Sequence, residues 1–177
     1  MIIDDKMRAY DIRMATASDR EYILKSWMLA YEQAPEMRMP GLIRDDYFAY
    51  THRLLDELIS RSSEKGSMYV CHQPNASYMI RGFLCAEAYT DFPVVHWVHT
   101  RKSEKKKGVA SALIEQFYKD FEIQPGNLIY TFSSRDLMGK YMDGKYNDEF
   151  PKRMTKRYNL CYLPWWKFTT ATPGWEA

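Results

Sequence analysis

The sequence lacks any long uncharged apolar run, and its mean hydropathy is −0.53, so no segment of its 177 residues qualifies as a membrane span. Residues 1–11 are acidic and lack the apolar stretch that a secretory signal requires. Together these absences predict a cytoplasmic protein that does not associate with a membrane.

An excess of one charge is also missing, because 25 basic residues are balanced by 23 acidic ones. This balance disfavours a general nucleic-acid binder, since such domains are usually strongly basic. Cysteine is scarce as well. Cys71, Cys85 and Cys161 each lie in an apolar run, and no Cys or His spacing fits a zinc site. We therefore expect three reduced cysteines in the core and no metal.

The chain is long enough for one domain with a core that needs no disulfide support. Hydrophobic residues make up 46% and charged residues 27%, which is ordinary for a globular protein. We expect a single domain over residues 1–177, with its core at about 10–169 and a C-terminal tail at 170–177.

The hydrophobic spacing predicts alternating groups of strands and helices. A helix capped by Ser18, with Glu21 at its third position, is followed by a second helix from near Asp45 to about Ser60. The complete set is a strand at 11–15, these two helices, strands at 68–71, 80–88 and 94–100, a helix at 108–121, a strand at 128–132, a helix at 135–145, and strands at 158–163 and 165–169. This order predicts an α/β fold of the mixed α+β kind, in which a central, mostly antiparallel mixed sheet carries helices on both faces.

The most informative segment joins the strand at 94–100 to a helix through a basic loop. The first turn of a helix has backbone N–H groups without internal partners, and the helix dipole adds positive charge there. Gly108 and Ala110 leave room for an anion, and Lys105, Lys106 and Lys107 add charge. A pyrophosphate fits such a site, although a solvated loop that binds nothing is the alternative.

The loop has neither the Walker spacing nor the GxGxxG fingerprint. Its spacing, Lys105-x-x-Gly108-x-Ala110, resembles the Gln/Arg-x-x-Gly-x-Gly/Ala signature of the Gcn5-related N-acetyltransferase (GNAT) superfamily. The order of elements over about residues 10–169 is also similar to that of this family. Lys105 departs from the pattern because it keeps the charge but loses the planar fork of arginine.

The resemblance implies that acetyl-CoA is the co-substrate. In the family, the strand before the loop separates from its neighbour and pairs with pantetheine, while the loop amides bind the pyrophosphate. Carried onto this sequence, the pantetheine contacts are Trp97, Val98, His99 and Thr100. The pyrophosphate contacts are Lys105, Lys106, Lys107, Gly108, Val109, Ala110 and Ser111.

The resemblance also implies a tyrosine on the last helix that protonates the departing thiolate. The family pattern is roughly Asn-x-x-Ala-x-x-x-Tyr, and Ser134-x-x-Leu137-x-x-x-Tyr141 has the same spacing with two replacements. Tyr141 is the predicted general acid and Tyr146 the reserve. The alternative is that Tyr141, one of 14 tyrosines, only packs.

Acetyl transfer needs a neutral amine, and therefore a group that accepts its proton. Glu87, near the end of its strand, is the predicted catalytic base, with His96 and His99 as alternatives. Strict strand alternation places the two histidines on opposite faces, so we expect at most one to face the acceptor. Some members of the family use no dedicated base, and that option stays open.

The predicted function is transfer of the acetyl group of acetyl-CoA to a primary amine by direct attack in a ternary complex. The alternative is a catalytically inactive module of the same fold that engages a protein or nucleic acid through the basic loop and Trp165, Trp166 and Trp175. The sequence leaves open whether the acceptor is a small molecule or a protein amine. Residues 34–46, with Glu36, Asp45 and Asp46, are expected to line its site. It also leaves open whether the chain forms a homodimer.

Overall fold

A computed structural model describes residues 2–3, 9–33, 43–61, 66–89, 92–105, 107–124, 126–131 and 159–163. They contain seven strands and three α-helices. In chain order these are β1 Ile2–Ile3, β2 Ala9–Met14, α1 Arg20–Gln33, α2 Arg44–Ser60, β3 Gly66–Gln73, β4 Ala76–Ala88, β5 Pro93–Thr100, α3 Val109–Asp120, β6 Asn127–Tyr130 and β7 Asn159–Tyr162. The helix expected at 135–145 and the strand expected at 165–169 lie outside the described residues.

The strands form one sheet in the order β1 to β7. Neighbours from β1 to β5 are antiparallel, whereas β5–β6 and β6–β7 are parallel. The predicted mixed, mostly antiparallel sheet is therefore confirmed. The parallel β5–β6 pair is possible because α3 provides the crossover between them.

The helices lie on both faces of this sheet, as neighbouring residues of β4 show. A Cβ added at Gly82 would touch Val109 and Leu113 of α3. The next residue, Phe83, contacts the ring of Tyr22 on α1 from the other face. Successive strand residues point to opposite faces, so α1 and α3 are on opposite sides.

The start of α1 differs from the prediction that placed its cap at Ser18. A capping box forms instead between Thr16 and Asp19, across the 3₁₀ turn Ala17–Asp19 that leads into α1. The Asp19 carboxylate accepts hydrogen bonds from the Thr16 N–H at 2.8 Å and from Arg13 at 2.7 Å. The Arg13 contact from β2 explains why this carboxylate, and not Glu21, closes the helix start.

The core lies between the sheet and the helices. On the α1 side the rings of Trp27 and Trp97 stack with centroids 5.1 Å apart, and the Trp27 N–H donates to the Tyr47 hydroxyl.

The prediction that all three cysteines are core residues was wrong in one case. Cys71 and Cys85 are buried, whereas Cys161 is exposed on β7. None of the helices in the described ranges is both long and apolar enough to cross a membrane.

Candidate functional site

The basic loop joins β5 to α3, as the sequence predicted, and α3 begins without a side-chain cap. Its first hydrogen bond runs from the Ala112 N–H to the Gly108 carbonyl at 2.9 Å. The N–H groups of Val109, Ala110 and Ser111 therefore precede the helical ladder. Because the N-cap residue Gly108 has no side chain to bond them, they form a small donor surface at the head of the helix.

Gly108 is the backbone position that opens this surface. It has φ +80°, in the left-handed region that favours glycine. Apart from its chain neighbours, no heavy atom of the described chain lies within 4 Å of a Cβ built at this position. The space beside the first turn of α3 is therefore open to a ligand.

The lysines of the loop do not share one environment. The Lys105 side chain is exposed. In contrast, the Lys107 ammonium donates to Glu104 at 3.0 Å, and its side chain is only 17% exposed. Lys106 lies outside the described residues. Val109 is buried against β4, while Ala110 and Ser111 are half-buried.

The four residues predicted to contact pantetheine form the second half of β5. Trp97 is buried with its ring on Trp27, and the His99 ring stacks on Phe83 with centroids 5.1 Å apart. Val98, His99 and Thr100 are half-buried. Since Trp97 and His99 direct their side chains into packing, their backbone is the part that remains for an added strand.

Strand β5 pairs with β6 over a short stretch. The parallel register joins Val94 to Ile129 and Val95 to Tyr130, and the Thr131 N–H donates to the Val95 carbonyl at 3.0 Å. Within the part of the chain that the structure describes, this pairing does not continue to Trp97–Thr100. In this stretch, the His99 carbonyl oxygen and Val109 in the first turn of α3 lie close together, since both would touch a Cβ added at Gly82.

A β-bulge interrupts the other edge of β5 and corrects the prediction about the two histidines. Cys85 pairs with Trp97 and Ala86 pairs with Val95, so His96 is an extra residue opposite β4. The bulge resets the alternation of side chains. His96 reaches Glu87, and His99 stacks on Phe83, and both partners lie on the α1 face of β4. The histidines therefore share one face, contrary to strict alternation.

The bulge brings the predicted base and one of its alternatives into direct contact. His96 Nε2 lies 2.6 Å from Glu87 Oε2, with side chains 0% and 2% exposed. Burial alone would raise the pKa of Glu87, but the hydrogen bond and charge of His96, with Arg61 3.9 Å away, hold that pKa below its usual range. An ionised carboxylate can only accept, so Nε2 carries a proton and donates it to Glu87 in a hydrogen bond. Nδ1 lies 3.4 Å from the Thr131 hydroxyl, beside the end of the β5–β6 pairing.

His99 has a different electrostatic environment. Burial, followed by repulsion from Lys105 and Arg101, lowers its pKa to about 4. It is therefore neutral at physiological pH. The two cations beside it show that positive charge gathers where β5 ends.

Two residues near this site carried no functional prediction. Gly82 allows α3 to approach, because a Cβ there would lie 2.7 Å from the His99 carbonyl oxygen and 2.8 Å from Val109 Cγ1. A glycine inside a strand is a known signal for such an approach. Glu104 is 2% exposed within a basic loop, and no pattern in the sequence predicts its burial.

Several predicted residues lie outside the described ranges: Tyr141 and its motif, Tyr146, Glu36, and Trp165, Trp166 and Trp175. Their roles stay predictions. Asp45 and Asp46 are exposed in the first turn of α2. Among the residues that the structure describes, no group of three His, Cys, Asp or Glu could hold a metal ion.

No protein-family model matches the sequence, and no curated protein matches it significantly. Solved structures do resemble it. A possible acetyltransferase from Clostridium difficile 630 has a TM-score of 0.52 at 18% identity, covering 87% of this chain and 93% of that one. The PaiA N-acetyltransferase from Thermoplasma acidophilum in complex with coenzyme A has a TM-score of 0.45 at 16% identity, covering 64% and 72%. A GNAT family acetyltransferase from Brucella melitensis in complex with acetyl-CoA has a TM-score of 0.44 at 12% identity, covering 65% and 70%.

The first of these matches spans most of both chains. It agrees with the mixed sheet, the helices on both faces and the strand–loop–helix unit described above. The chain therefore has the fold of the GNAT superfamily of acetyltransferases.

Proposed function

We propose that this protein is an N-acetyltransferase that moves the acetyl group of acetyl-CoA to a primary amine by direct attack in a ternary complex. The observation that carries the proposal is that one strand, β5, leads from the end of its pairing with β6 to the loop before α3. Within the described residues, the β5–β6 pairing ends after Val95, and the amides at the start of α3 follow the far end of the same strand. An extended thiol arm needs the first feature, and a diphosphate needs the second.

In this arrangement pantetheine lies along Trp97–Thr100, and the diphosphate meets the loop and the first turn of α3. Lys105 and Lys106 supply positive charge to that end, and the amides from Gly108 to Ser111 supply hydrogen-bond donors. The open space beside Gly108 supports this placement, since a side chain there would stand in front of the donors.

The proton of the attacking amine passes to the Glu87–His96 pair. The amine nitrogen forms a bond to the thioester carbon, the carbon–sulfur bond breaks, and the amine proton reaches His96 Nδ1 through an intervening hydroxyl or water. Glu87 stabilises the imidazolium that results. His99 is the weaker candidate, because a pKa of about 4 makes its ring a poor base near pH 7.

The thiolate that departs takes a proton from Tyr141, with Tyr146 as the reserve. The family pattern carries this assignment, through the spacing of Ser134, Leu137 and Tyr141. The acceptor is a primary amine, either a small molecule or an amine of another protein.

The proposal is tested by titrating the protein with acetyl-CoA in a calorimeter and then measuring thiol release with a panel of amines. We expect binding at micromolar concentrations and thiol release that depends on the amine. No heat at high micromolar acetyl-CoA would reject the proposal. Binding without turnover, together with salt-dependent binding of nucleic acid, would instead favour the non-catalytic module.

A further inference from the structure

Glu104 is a buried carboxylate in the loop that the proposed function assigns to the diphosphate. It ends a short 3₁₀ turn at Lys102–Glu104 and is 2% exposed. It is also the only acidic residue among residues 101–108, which otherwise carry five basic side chains. Burying a charge is unfavourable unless it is paired, so this carboxylate is expected to have a defined set of partners.

Those partners come from three parts of the fold. The Tyr10 hydroxyl, from β2, donates to Glu104 Oε2. The Arg81 guanidinium, from β4, lies 3.4 Å from Oε1. The ammonium of Lys107, which precedes the N-cap residue Gly108 of α3, donates a hydrogen bond to Oε2 at 3.0 Å. The carboxylate therefore links the loop to two strands of the sheet.

The contact between Lys107 and Glu104 gives Lys107 a different role from that of Lys105. The Lys107 ammonium is used by Glu104 and its side chain is mostly buried, whereas the Lys105 side chain is exposed. An ammonium held by a buried carboxylate is not presented to a ligand at the head of α3. The Lys105 side chain is exposed, so its charge acts on an anion through solvent.

We infer that Glu104 is a positioning residue of the diphosphate site: it fixes the β5–α3 loop against β2 and β4 and holds Lys107 as an internal counter-ion, so that Lys105 and the α3 amides meet the diphosphate. This inference rests on the proposed function, because it concerns the same site. It revises the sequence-based prediction for Lys107, because it assigns the Lys107 ammonium to Glu104 and not to the ligand.

The test measures CoA binding by calorimetry for the wild type and for Glu104→Gln, with Glu115→Gln on the exposed face of α3 as a control of equal charge change. We expect Glu104→Gln to raise the Kd about tenfold with unchanged stoichiometry, and Glu115→Gln to leave the Kd unchanged. A variant that only loses folded protein would lower the stoichiometry and keep the Kd. A Kd for Glu104→Gln within twofold of the wild type, or a tighter one, would overturn the inference.

A second pair of variants tests the separation of the lysines. The Kd for CoA is measured over a series of salt concentrations for Lys105→Met and Lys107→Met. We expect Lys105→Met to weaken the salt dependence and Lys107→Met to keep that of the wild type, because only an exposed charge acts on the ligand through solvent. An equal loss of salt dependence in both would show that Lys107 reaches the diphosphate, and would overturn the inference.

The wild-type titration keeps the two proposals apart. If the wild type binds CoA and Glu104→Gln binds it equally well, the inference fails and the proposed function stands. If the wild type binds no CoA, both fail.

Discussion

The imidazole of His96 and the carboxylate of Glu87 are 2.6 Å apart inside the sheet, at a bulge that makes His96 an extra residue of β5. Neither side chain is exposed beyond 2%. The pair places Nδ1 next to Thr131, where the β5–β6 pairing of the described residues ends. The bulge therefore converts two separate candidates for the base into one unit.

Replacing His96 by leucine is expected to destabilise the protein by about 3–5 kcal/mol, because it leaves the Glu87 carboxylate buried without its main partner. Adding Glu87→Gln removes that charge and is expected to restore part of the lost stability. Urea denaturation measures both effects. His52→Leu, at an exposed histidine of α2, is the control and should change stability by less than about 1 kcal/mol. If the stability change of the double variant equals the sum of the changes of His96→Leu and Glu87→Gln measured separately, the two residues are not coupled.

Gly82→Ala is expected to lower the free energy of unfolding by about 1–3 kcal/mol and to weaken CoA binding. The added Cβ would lie 2.7 Å from the His99 carbonyl oxygen and 2.8 Å from Val109 Cγ1, so β5 or the first turn of α3 must move. Urea denaturation and calorimetry measure the two effects. Gly126→Ala is the matched control, because the nearest atom to its Cβ would be 3.9 Å away. If Gly82→Ala binds CoA with unchanged affinity, the close packing of β5 and α3 at Gly82 does not contribute to the CoA site.

Gly108→Glu is expected to abolish CoA binding while the protein stays folded. The new carboxylate would stand over the α3 amides and repel the diphosphate, and the space there avoids a steric clash. The φ of +80° adds a backbone strain of about 1–2 kcal/mol for most residues. Gly108→Asn controls for this strain, since asparagine tolerates the left-handed region, and should bind CoA better than Gly108→Glu. Wild-type affinity in Gly108→Glu would show that the diphosphate binds elsewhere.

The sequence was a good guide where a periodic pattern decides the structure. The helical stripe Tyr47, Thr51, Leu54, Leu55, Leu58 and Ile59 placed α2 within one residue of its observed start, and the basic loop was placed correctly between β5 and α3. These features depend on local spacing and on the chemistry of helix ends, both of which a single sequence contains.

The predictions were wrong where contacts between residues distant in sequence determine the local structure. Two overlapping capping boxes were available, and Arg13 on β2 selected Asp19 over Glu21. The bulge at His96 depends on how β4 and β5 pair, which alternation within one strand does not reveal. Gly82 did carry a readable signal, as a glycine within an apolar strand.

Tyr141→Phe is expected to slow amine-dependent thiol release by about a hundredfold while leaving the Kd for CoA unchanged. The substitution removes only the hydroxyl that would protonate the departing thiolate. Tyr146→Phe is the matched control and should keep the wild-type rate. Equal rates for Tyr141→Phe and the wild type would remove Tyr141 from this role, and a slow Tyr146→Phe would assign the proton to the reserve residue.

The low pKa of His99 predicts how stability depends on pH. The pKa is about 4 in the folded protein against 6.5 for an unperturbed histidine. Between these values the unfolded chain binds a proton that the folded chain does not, so stability falls as pH drops from 6.5 towards 4, by up to roughly 3 kcal/mol. His99→Phe keeps the ring on Phe83 and is expected to flatten this part of the profile, measured by urea denaturation at each pH. An identical profile in the variant would contradict the assignment.

The same histidine should also report on the ligand. Besides burial, repulsion from Lys105 and Arg101 lowers its pKa, and a diphosphate bound beside them would offset that repulsion. We therefore expect saturating CoA to raise the pKa of His99, observed as a shift of its ring-proton titration in NMR spectra. Lys105→Met should raise the pKa without ligand and reduce the further change on binding. An unchanged titration in the presence of bound CoA would mean that the diphosphate lies away from Lys105, and the placement of the ligand at the start of α3 would have to be abandoned.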